Sequence, residues 1–509
     1  EILLQFGCCL IGLTLDKKRR QSYMLMNGQQ YVESLKKMRA NVYKWGDLID
    51  DVTTHPATRL HVKSVALSYD AAFDPARAPI FTARSHLTGD IAHRWNTLMG
   101  SAEAVLGNAQ MKRAQYRMTG TCQGATCAGW TALNVLWEVT AQMDKDLGTD
   151  YHERLKKYFR YVEDNALALA GAITDAKGNR ALKPSQQTNK MQNLHVVETR
   201  DDGIIVSGYK VQICGVAACH EIIVVPGSRY GESEKDFCLA AAIPRDAEGL
   251  ICVETRRPSD ARDEEEGWDA PKAGNITQSF LLFNRVFVPN DRVFMNGQSK
   301  YSGQIIGHFA AIYRAAIGAC VAGQGDVMIG AAINMARANG LSQKTFQTSL
   351  TQMAVNNEIT YGLGCGAMMN GKLQPAGLFV PDALLAHTNK TQVAKLPYEN
   401  KVMAQDISGG IAETGCFPSY KDFLSPVYGK QLLECLTAGV DGETRARAAR
   451  LVEWLTVGGG IPGCMHGGGS PDGARLVVKA FTKWEDFAAD AKRIAGITAD
   501  LSEPSAVKK

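Results

Sequence analysis

The sequence has little of what would mark a nucleic-acid-binding, membrane or disordered protein. Its 509 residues carry a net charge of only +4, and no block of basic residues mixed with aromatic ones occurs along the chain. This balance argues against a nucleic-acid partner, although a mild positive excess suits an anionic ligand in a local pocket. Hydrophobic residues make up 45% and charged residues 21% of the chain, as in ordinary globular proteins. No low-complexity tract and no internal repeat is present.

The N-terminal segment does not have the pattern of a signal peptide. Its apolar stretch precedes the basic run KKRR, whereas a signal peptide has its basic residues first. The stretch is also too short to span a bilayer. We therefore expect residues 1–23 to be a disordered extension, and we expect no membrane partner.

The cysteines do not have the pattern of a disulfide framework. There are thirteen of them, an odd number, and their spacings are irregular. In a reducing compartment such cysteines are core residues, metal ligands or redox groups. We therefore expect a cytoplasmic protein with free thiols.

The order of sequence patterns predicts an α+β fold with three domains. Apolar residues at helical spacing predict an N-terminal helical domain over residues 24–168. Short β-branched runs, with a hairpin signal Asp-Asp-Gly at residues 201–203, predict an antiparallel sheet or small barrel over residues 169–300. A long run rich in Ala and Gly, ended by Asn339-Gly340, predicts a C-terminal helical bundle over residues 301–509. Within the first domain we expect helices over residues 28–49, 131–148 and 150–172.

Several stretches of the chain resemble one protein family in their order and spacing. They include SHLTGD, GAITDAKGNRALKPS, VVETRDDGIIVSGYK, FNRVFVPNDRVFMNG, GQGDVMIGAAINMARANG, DISGG and MHGGGSP, within residues 26–490. The chain resembles the 4-hydroxybutyryl-CoA dehydratase group of the larger 4-hydroxyphenylacetate 3-hydroxylase family. This resemblance implies an acyl-CoA dehydrogenase-like fold, bound FAD and a homotetramer. For the dehydratases it also implies a 4Fe-4S cluster beside the flavin and a small-molecule substrate of the acyl-CoA class.

The resemblance places one group of residues at the flavin ring. Thr174, Asp175 and Lys177 would lie beside the ring, although composition alone describes them as a Lys-Gly turn capped by Asp. Cys214 aligns where the family has a threonine that faces the flavin. Because a thiol donates a weaker hydrogen bond than a hydroxyl, this change would alter the tuning of the flavin more than its binding.

A second group would contact the FAD diphosphate from a neighbouring subunit. It consists of Asp406 and of two glycines adjacent to each other, Gly409 and Gly410, which lie at the predicted start of a helix. Glycines at such a position leave backbone N–H groups accessible to phosphate, and the helix N-terminus favours negative charge. On composition alone the segment would be a plain turn, so its assignment depends on the resemblance.

The resemblance also identifies residues that would bind the metal cluster. Cys127 and Cys320 match two cysteine ligands of the dehydratases, but Cys122 lies five residues before Cys127 where the family spacing is four. Five residues along a helix turn two side chains about 140° apart, so Cys122 reaches the cluster only from a loop, wide turn or bulge. Tyr313 stands two helical turns before Cys320, where the family has a histidine ligand, and is a poor, hard ligand.

Three other cysteines lie at or beside positions that line the family's cavity. They are Cys214, Cys219 and Cys464. One of them could replace the missing histidine ligand. Taken singly, each is better explained as a small apolar core residue.

The acid–base residues of the dehydratases are replaced in this chain. Gln278 and Gly463 align where the family has acidic residues, and neither can act as a general base. A histidine of the family's cavity is retained as His466. The residues left as catalytic candidates are Tyr313, His466 and Cys214.

Three functions therefore remain open. The first is a FAD- and cluster-bearing lyase or isomerase that acts on an acyl-CoA substrate. The second is a flavin-dependent oxidoreductase of the monooxygenase type without a cluster, which the lost ligands favour. The third is a catalytically altered flavin-binding paralogue. We rank the first highest, because three thiols persist at or next to the family's ligand positions.

Overall fold

Helices precede and follow a strand-rich middle part of the chain. The computed structural model describes residues 25–256, 276–414, 416, 418–457 and 466–501, so the extension expected at residues 1–23 lies outside the described residues. The α-helices within them, named α1 to α16 in chain order, are Gly28–Lys36, Arg59–Ala71, Ala78–Phe81, Ala102–Thr119, Ala128–Leu147, Tyr151–Asp164, Ser302–Ala338, Gln347–Met369, Ala383–Val393, Leu396–Ser408, Gly410–Glu413, Tyr420–Phe423, Gly429–Leu436, Gly442–Thr456, Pro471–Phe481 and Trp484–Ile494. The strands, named β1 to β14, are Val42–Lys44, Asp47–Ile49, Thr82–Arg84, Ile91–His93, Leu169–Ala172, His195–Thr199, Gly203–Cys214, Glu221–Val224, Leu239–Pro244, Leu250–Glu254, Gln278–Pro289, Val293–Asn296, Lys372–Leu373 and Phe379–Val380.

Two mixed sheets form the strand-rich part. The larger has six strands in the order β2-β1-β10-β11-β7-β6, and the smaller has four in the order β12-β9-β8-β5. The hairpin predicted at residues 201–203 is confirmed, because β6 and β7 pair antiparallel on either side of it. As expected, most neighbouring strands here pair antiparallel, but β1 pairs parallel with β10 and β5 parallel with β8. These parallel pairs join distant parts of the chain, which local sequence patterns do not reveal.

Two helices predicted from the sequence end earlier than expected. Helix α1 stops at Lys36, and the chain then forms the β1–β2 hairpin, whose turn has Trp45 and Gly46 at φ values of 55° and 95°. Helix α6 stops at Asp164, and the apolar run after it forms the buried strand β5. A short apolar run carries no periodicity that separates a buried strand from a helix.

Helix α7 is the central element of the C-terminal part, and small residues let its neighbours approach closely. A Cβ atom on Gly318 would lie 2.1 Å from the Thr360 carbonyl oxygen of α8. A Cβ atom on Gly323 would lie 2.5 Å from the Arg113 carbonyl oxygen of α4. Only glycine fits at these two positions, so α4 and α8 pack directly against the backbone of α7.

The end and the burial of α7 identify it as a core helix. It ends at Asn339-Gly340 as predicted, with Gly340 at a φ of 79°. By length and composition Ser299–Ala338 could cross a membrane, yet 72% of its most apolar window is buried inside the chain. Burial within the protein explains the apolar composition.

Helix α5 packs directly on strand β5 through two glycines. A Cβ atom on Gly129 would lie 2.5 Å from the Leu169 carbonyl oxygen, and one on Gly171 would lie 2.6 Å from the Ala128 carbonyl carbon. This contact lies in the first turn of α5, directly after Cys127, the residue that caps the helix. The packing therefore fixes where α5 begins and where Cys127 is held.

Substituting Gly129 with valine should lower the free energy of unfolding by ~1–3 kcal/mol, because the added atoms would overlap the β5 backbone. Gly366→Ala is the control, since its Cβ would meet only the Leu385 Cδ1 atom at 4.0 Å. The control should be neutral or stabilising by up to ~1 kcal/mol from helix propensity. Urea unfolding followed by circular dichroism measures both, and equal stabilities of the two variants would contradict the packing described.

Candidate functional site

Four cysteine thiols, a tyrosine and a lysine converge where α4, α5 and α7 meet the end of β7. We call this group the thiol pocket, and its members are Lys112, Cys122, Cys127, Cys214, Tyr313 and Cys320. The Tyr313 phenol lies near all four thiols. Burial is the largest cause that raises its pKa well above the usual 10.0, and the electrostatic effects of Cys127, Cys122, Cys214 and Cys320 raise it further. The structure thus places Cys122, Cys127, Cys320 and Tyr313 near one another, together with Cys214, which the sequence suggests as a substitute ligand, and Lys112, which it does not suggest.

The two early cysteines lie on the connection between α4 and α5. Helix α4 ends at Thr119 and is followed by Gly120, which has a φ of 73°. Cys127 precedes the first residue of α5, seven residues after Gly120. The segment between them is not helical, which is the condition that the five-residue spacing requires. Within it, the Gly124 amide donates a hydrogen bond to the Cys122 sulfur over 3.4 Å.

Gln123, which holds the family's cysteine position, is bonded within the protein. Its amide nitrogen donates to the Ser64 carbonyl oxygen over 2.8 Å, and its amide oxygen accepts a hydrogen bond from the Ser68 hydroxyl. Both serines lie on α2. Cys122 therefore supplies the thiol of this segment that belongs to the pocket, while Gln123 links the segment to α2.

Tyr313 and Cys320 come from one side of α7. The Tyr313 ring stacks on Phe309, with ring centroids 5.5 Å apart. The glycine loop after His466 also comes close to this ring, because a Cβ atom on Gly468 would lie 2.8 Å from the Tyr313 Cδ1 atom. The Arg314 side chain holds this loop by donating to the Gly468 carbonyl oxygen over 2.9 Å. The His466 side chain itself is exposed.

Lys112 of α4 is the pocket residue that sequence reasoning missed. It is only 2% exposed, and its ammonium lies 5.4 Å from the centre of the Tyr313 ring. Burial, the largest influence, favours the neutral amine, but Cys127, Cys320 and Cys122 outweigh it and raise the lysine pKa. The charge partners of this buried cation are therefore sulfur atoms.

A sequence signal for Lys112 existed. Asn108, Lys112, Gln115 and Thr119 follow one another at helical spacing on α4, and all four are buried. Four polar residues on one helical face next to apolar ones predict either a solvent-facing stripe or a buried polar site. Here the four polar residues form a buried polar site. The neighbouring residue Arg113 forms the ion pairs nearer the surface, with Asp326 over 2.9 Å and with Glu358 over 2.6 Å.

Cys214 ends strand β7 and borders the loop that carries Cys122. A Cβ atom on Gly124 would lie 2.8 Å from the Gly215 nitrogen and 2.9 Å from the Cys214 carbonyl carbon. On the paired strand β11, the Gln278 amide nitrogen lies 3.2 Å from the Cys214 sulfur. Burial first, and then Cys122, raise the pKa of Cys214 to about 12.

The residues predicted at the flavin ring follow β5, and Asp175 among them forms an isolated bridge with Lys210 of β7. The Asp175 carboxylate is buried and pairs with the Lys210 ammonium of β7 over 2.9 Å. It also accepts hydrogen bonds from the Leu194 amide and the Tyr230 hydroxyl. Thr174 is exposed and Lys177 is half-buried with a φ of 69°. Asp175 is therefore engaged within the chain, and its two neighbours are the ones open to a ligand.

The predicted diphosphate residues lie on the surface of the chain. Asp406, Gly409 and Gly410 are exposed at the junction of α10 and α11. Gly409 has a φ of 78°, and a Cβ atom on either glycine would have no other atom within 4 Å. The backbone at this turn is therefore open to a ligand or to another chain.

Other predicted cavity residues separate from the thiol pocket or lie outside the described residues. Cys219 is buried beside Arg245. Burial raises the pKa of its thiol to about 12, although the charge of Arg245 acts in the opposite direction. Gly463 and Cys464 lie outside the described residues. Within the residues that the structure describes, no group of three or more His, Cys, Asp or Glu side chains is gathered as for a single metal ion.

Comparison with known families matches both halves of the chain to one family. Residues 27–295 match the N-terminal part of 4-hydroxyphenylacetate 3-hydroxylase, and residues 302–496 match its C-terminal part. The chain belongs to the 4-hydroxyphenylacetate 3-hydroxylase family. The family predicted from the sequence is confirmed.

Members of this family with different reactions are similar to the chain. It is 34% identical over 501 residues to 4-hydroxybutyryl-CoA dehydratase/vinylacetyl-CoA-Δ-isomerase of Clostridium aminobutyricum, with 93% of this chain and 100% of the relative covered. It is 25% identical over 448 residues to the oxygenase component of 4-hydroxyphenylacetate 3-monooxygenase of Thermus thermophilus, with 86% and 89% covered. Because these relatives are enzymes, they support the predicted enzymatic activity.

Solved structures confirm the predicted fold class. An oxygen-tolerant archaeal 4-hydroxybutyryl-CoA dehydratase from N. maritimus superposes with a TM-score of 0.90 at 33% identity, over 95% of this chain and 97% of that one. The oxygenase component of 4-hydroxyphenylacetate 3-monooxygenase complexed with FAD superposes with a TM-score of 0.80 at 21% identity, over 92% and 98%. The α+β, acyl-CoA dehydrogenase-like fold is thus the fold of this chain.

Replacing Lys112 with methionine should raise the pKa of Cys122. Burial and Cys127 already raise this pKa, whereas the Lys112 cation opposes them and lowers it. Without the cation, less thiolate is present at a given pH, so alkylation of Cys122 by iodoacetamide should slow and its pH midpoint should move upward. Mass spectrometry of metal-free protein over a pH series measures the rate. The exposed Lys63→Met variant is the control, and an unchanged midpoint in Lys112→Met would contradict the interaction.

Proposed function

We propose that this chain is a FAD-dependent enzyme that acts on an acyl-CoA substrate in the manner of its dehydratase/isomerase relatives. We further propose that the thiol pocket holds a 4Fe-4S cluster with altered ligands, among them Cys122, Cys127 and Cys320, in a cytoplasmic protein. Similarity to the Clostridium dehydratase over nearly the whole chain supports the reaction class. The observation that carries the proposal is the burial of Lys112 among thiols.

The residues of the pocket fit an anionic sulfur-bound group. A lysine is almost never fully buried unless its charge is paired. Among the described residues, the partners of the Lys112 cation are thiols, and neutral thiols compensate a charge poorly. Iron–sulfur clusters are held by thiolates, and donors to their sulfur atoms tune their potential. A buried lysine ammonium beside these thiols would fill that role.

The FAD would lie between a strand of one chain and a turn of its neighbour. Thr174 and Lys177 are the residues that would face its ring, with the buried Asp175–Lys210 ion pair keeping the segment in place. Gly409 and Gly410 have open backbone that fits a diphosphate. When bound, FAD would supply one-electron chemistry beside the cluster.

In this proposal the proton transfers would take place without the acidic residues of the dehydratases. Tyr313 holds its proton at ordinary pH, because its pKa is raised well above 10.0, so it would donate a hydrogen bond to a leaving hydroxyl or thioester oxygen. Gln278 cannot ionise and would only position a neighbour. His466 is exposed on the loop that packs against Tyr313, and an imidazole there would accept the proton that the substrate loses.

The second candidate function is a flavin-dependent oxidoreductase of the monooxygenase type without a cluster. The replacement of the family's histidine ligand by Tyr313 favours it, since a phenol is a hard ligand for iron–sulfur chemistry. The relative from Thermus thermophilus supports this reaction class with lower identity. A flavin-binding paralogue with altered catalysis is the third alternative, supported by the replacement of the acidic residues.

Protein purified without oxygen should contain FAD together with iron and sulfide, each at about four per chain, and should absorb broadly near ~400 nm. Incubation with 4-hydroxybutyryl-CoA or vinylacetyl-CoA, followed by mass spectrometry, should show loss of water from the first or isomerisation of the second. Flavin without iron, together with hydroxylation of a phenol by reduced flavin and oxygen, would contradict the first function in favour of the second. Absence of both cofactors would favour the third.

We also propose that the chain forms a homotetramer. The last two helices, α15 and α16, present apolar side chains to the exterior: Leu476 is 69%, Trp484 56%, Phe487 59% and Ile494 78% exposed. An exposed apolar patch of this kind marks an interaction surface. Because Gly409 and Gly410 are open as well, assembly of chains would complete the diphosphate site.

The double substitution Leu476→Glu and Phe487→Glu should reduce the assembly to smaller species, because it places charge on the apolar faces of α15 and α16. Light scattering after size-exclusion chromatography measures the mass, and released FAD per chain should fall together with it. Lys492→Glu, on the polar side of α16, is the control and should keep the tetramer. Unchanged mass in the double variant would contradict this interface.

A further inference from the structure

We propose that the long loop between β5 and β6 binds the phosphate groups of the CoA part of the substrate. We call residues 176–192 the basic loop. The inference rests on the proposed function, because it locates one part of the acyl-CoA substrate that this function requires. None of the residues of the basic loop belongs to the thiol pocket.

The basic loop concentrates positive charge in a chain that has little of it. Its cations are Lys177, Arg180, Lys183 and Lys190, and residues 176–197 contain no Asp and no Glu. With four cations and no acid, this segment alone has the net charge of +4 that the whole chain has. A surface of one charge sign attracts ligands of the opposite sign and raises their local concentration. The ligand of the basic loop is therefore an anion.

The cations of the basic loop are available to a ligand. Three of the four are exposed, and Lys177 is half-buried. Within the described residues, none of the four forms an ion pair. Glu234, which contacts the loop, is only 3% exposed and accepts hydrogen bonds from the Ser185 amide and hydroxyl. Asp175, which precedes the loop, pairs with Lys210 over 2.9 Å.

Internal hydrogen bonds hold the basic loop in one conformation. The Gln187 amide nitrogen donates to the Asn179 carbonyl oxygen over 2.7 Å and to the Leu182 carbonyl oxygen over 3.2 Å. The Gln187 amide oxygen accepts a hydrogen bond from the Asn179 amide over 3.0 Å. At the base of the loop, the Lys177 amide donates to the Gln192 carbonyl oxygen over 3.2 Å. A loop that is ordered in advance loses little entropy when it binds a ligand.

The length of the connection favours a function over a structural link. It covers residues 173–194, from the end of β5 to the start of β6. Connections longer than ~12–15 residues are usually functional or disordered, and the hydrogen bonds of this one hold it in order. Exposed lysines taken singly are ordinarily solvated and without a partner. Here their clustering, the lack of acids and the fixed loop occur together, which indicates a binding site.

The position of the basic loop favours CoA over FAD as the ligand. The loop directly follows Thr174 and includes Lys177, the two residues proposed to face the flavin ring. A thioester that reacts at the flavin has its phosphates at the far end of the pantetheine arm, and the loop leads away from the ring. The FAD diphosphate is already placed at Gly409 and Gly410 of a neighbouring chain, so a second phosphate site suits the second phosphorylated ligand.

An exposed apolar residue lies between two of the cations. Leu182 is 41% exposed, and its amide donates to the Asn179 carbonyl oxygen over 3.1 Å, which closes a turn with Arg180 inside it. Lys183 follows directly. Apolar contact beside a few charged groups is the usual composition of a small-molecule site. It suits the adenosine end of CoA, which has an apolar base face next to its phosphates.

The test is the affinity of FAD-loaded protein for CoA, measured by isothermal titration calorimetry at low ionic strength. The double substitution Arg180→Gln and Lys183→Gln should weaken binding about tenfold, because it removes two charge-assisted contacts to phosphate. Added salt should weaken CoA binding to the parent protein more than binding to the double variant. Lys190→Gln alone should weaken CoA binding by a smaller factor.

The matched control is the double substitution Lys63→Gln and Lys430→Gln, which removes two exposed lysines outside the basic loop. This control should bind CoA as the parent protein does. FAD per chain and the unfolding temperature show whether each variant is folded. Weaker CoA binding in the loop variants, with FAD, unfolding temperature and the control unchanged, would support the inference.

The remaining outcomes separate this inference from the function on which it rests. If the parent protein binds CoA and the loop variants bind it equally well, the loop assignment is overturned and the proposed function stands. Loss of FAD from the loop variants would assign the loop to the phosphates of FAD and would also overturn the inference. A parent protein that holds FAD but does not bind CoA would overturn both the loop assignment and the acyl-CoA substrate of the proposed function.

Discussion

The positive charge of Lys112, buried without a carboxylate partner among the described residues, is the constraint on which the candidate site depends. Desolvation of an ammonium costs several kcal/mol, so about this much interaction must come from the surrounding sulfur atoms and the Tyr313 ring. The thiols come from segments far apart in the sequence, and Cys122, Cys127 and Cys320 have the cation as a common neighbour. The Lys112 cation favours the charged form of Cys122, but burial and Cys127 outweigh it and keep the pKa of that thiol raised.

Close backbone contacts give this pocket its geometry. Gly124 touches the end of β7, Gly129 touches β5, and Gly323 of α7 touches α4. Each contact joins two elements at a distance that any side chain would increase. The thiols therefore take their positions from the packing of helices and strands, and no hydrogen-bond network of their own is needed to gather them.

Much of this arrangement follows from sequence, and the remainder has identifiable causes. The two-turn spacing of Tyr313 and Cys320 predicted their shared side of α7, and the spacing of Cys122 and Cys127 predicted a non-helical connection. Lys112 was missed because a lysine in a helix is ordinarily at the surface. The parallel pairing of β1 with β10 was missed because it joins residues about two hundred positions apart, which no local period records.

The adjacent residues Lys112 and Arg113 give α4 a fixed rotational setting. Side chains of consecutive residues on a helix point about 100° apart. Here the Lys112 ammonium lies near sulfur atoms, while the Arg113 guanidinium pairs with the carboxylates of Asp326 and Glu358. Turning the helix by one position would bring Arg113 toward the thiols and leave both acids unpaired. The ion pairs of Arg113 with Asp326 and Glu358 therefore fix the rotation of α4 about its axis. This rotation places Lys112, rather than Arg113, at the thiols.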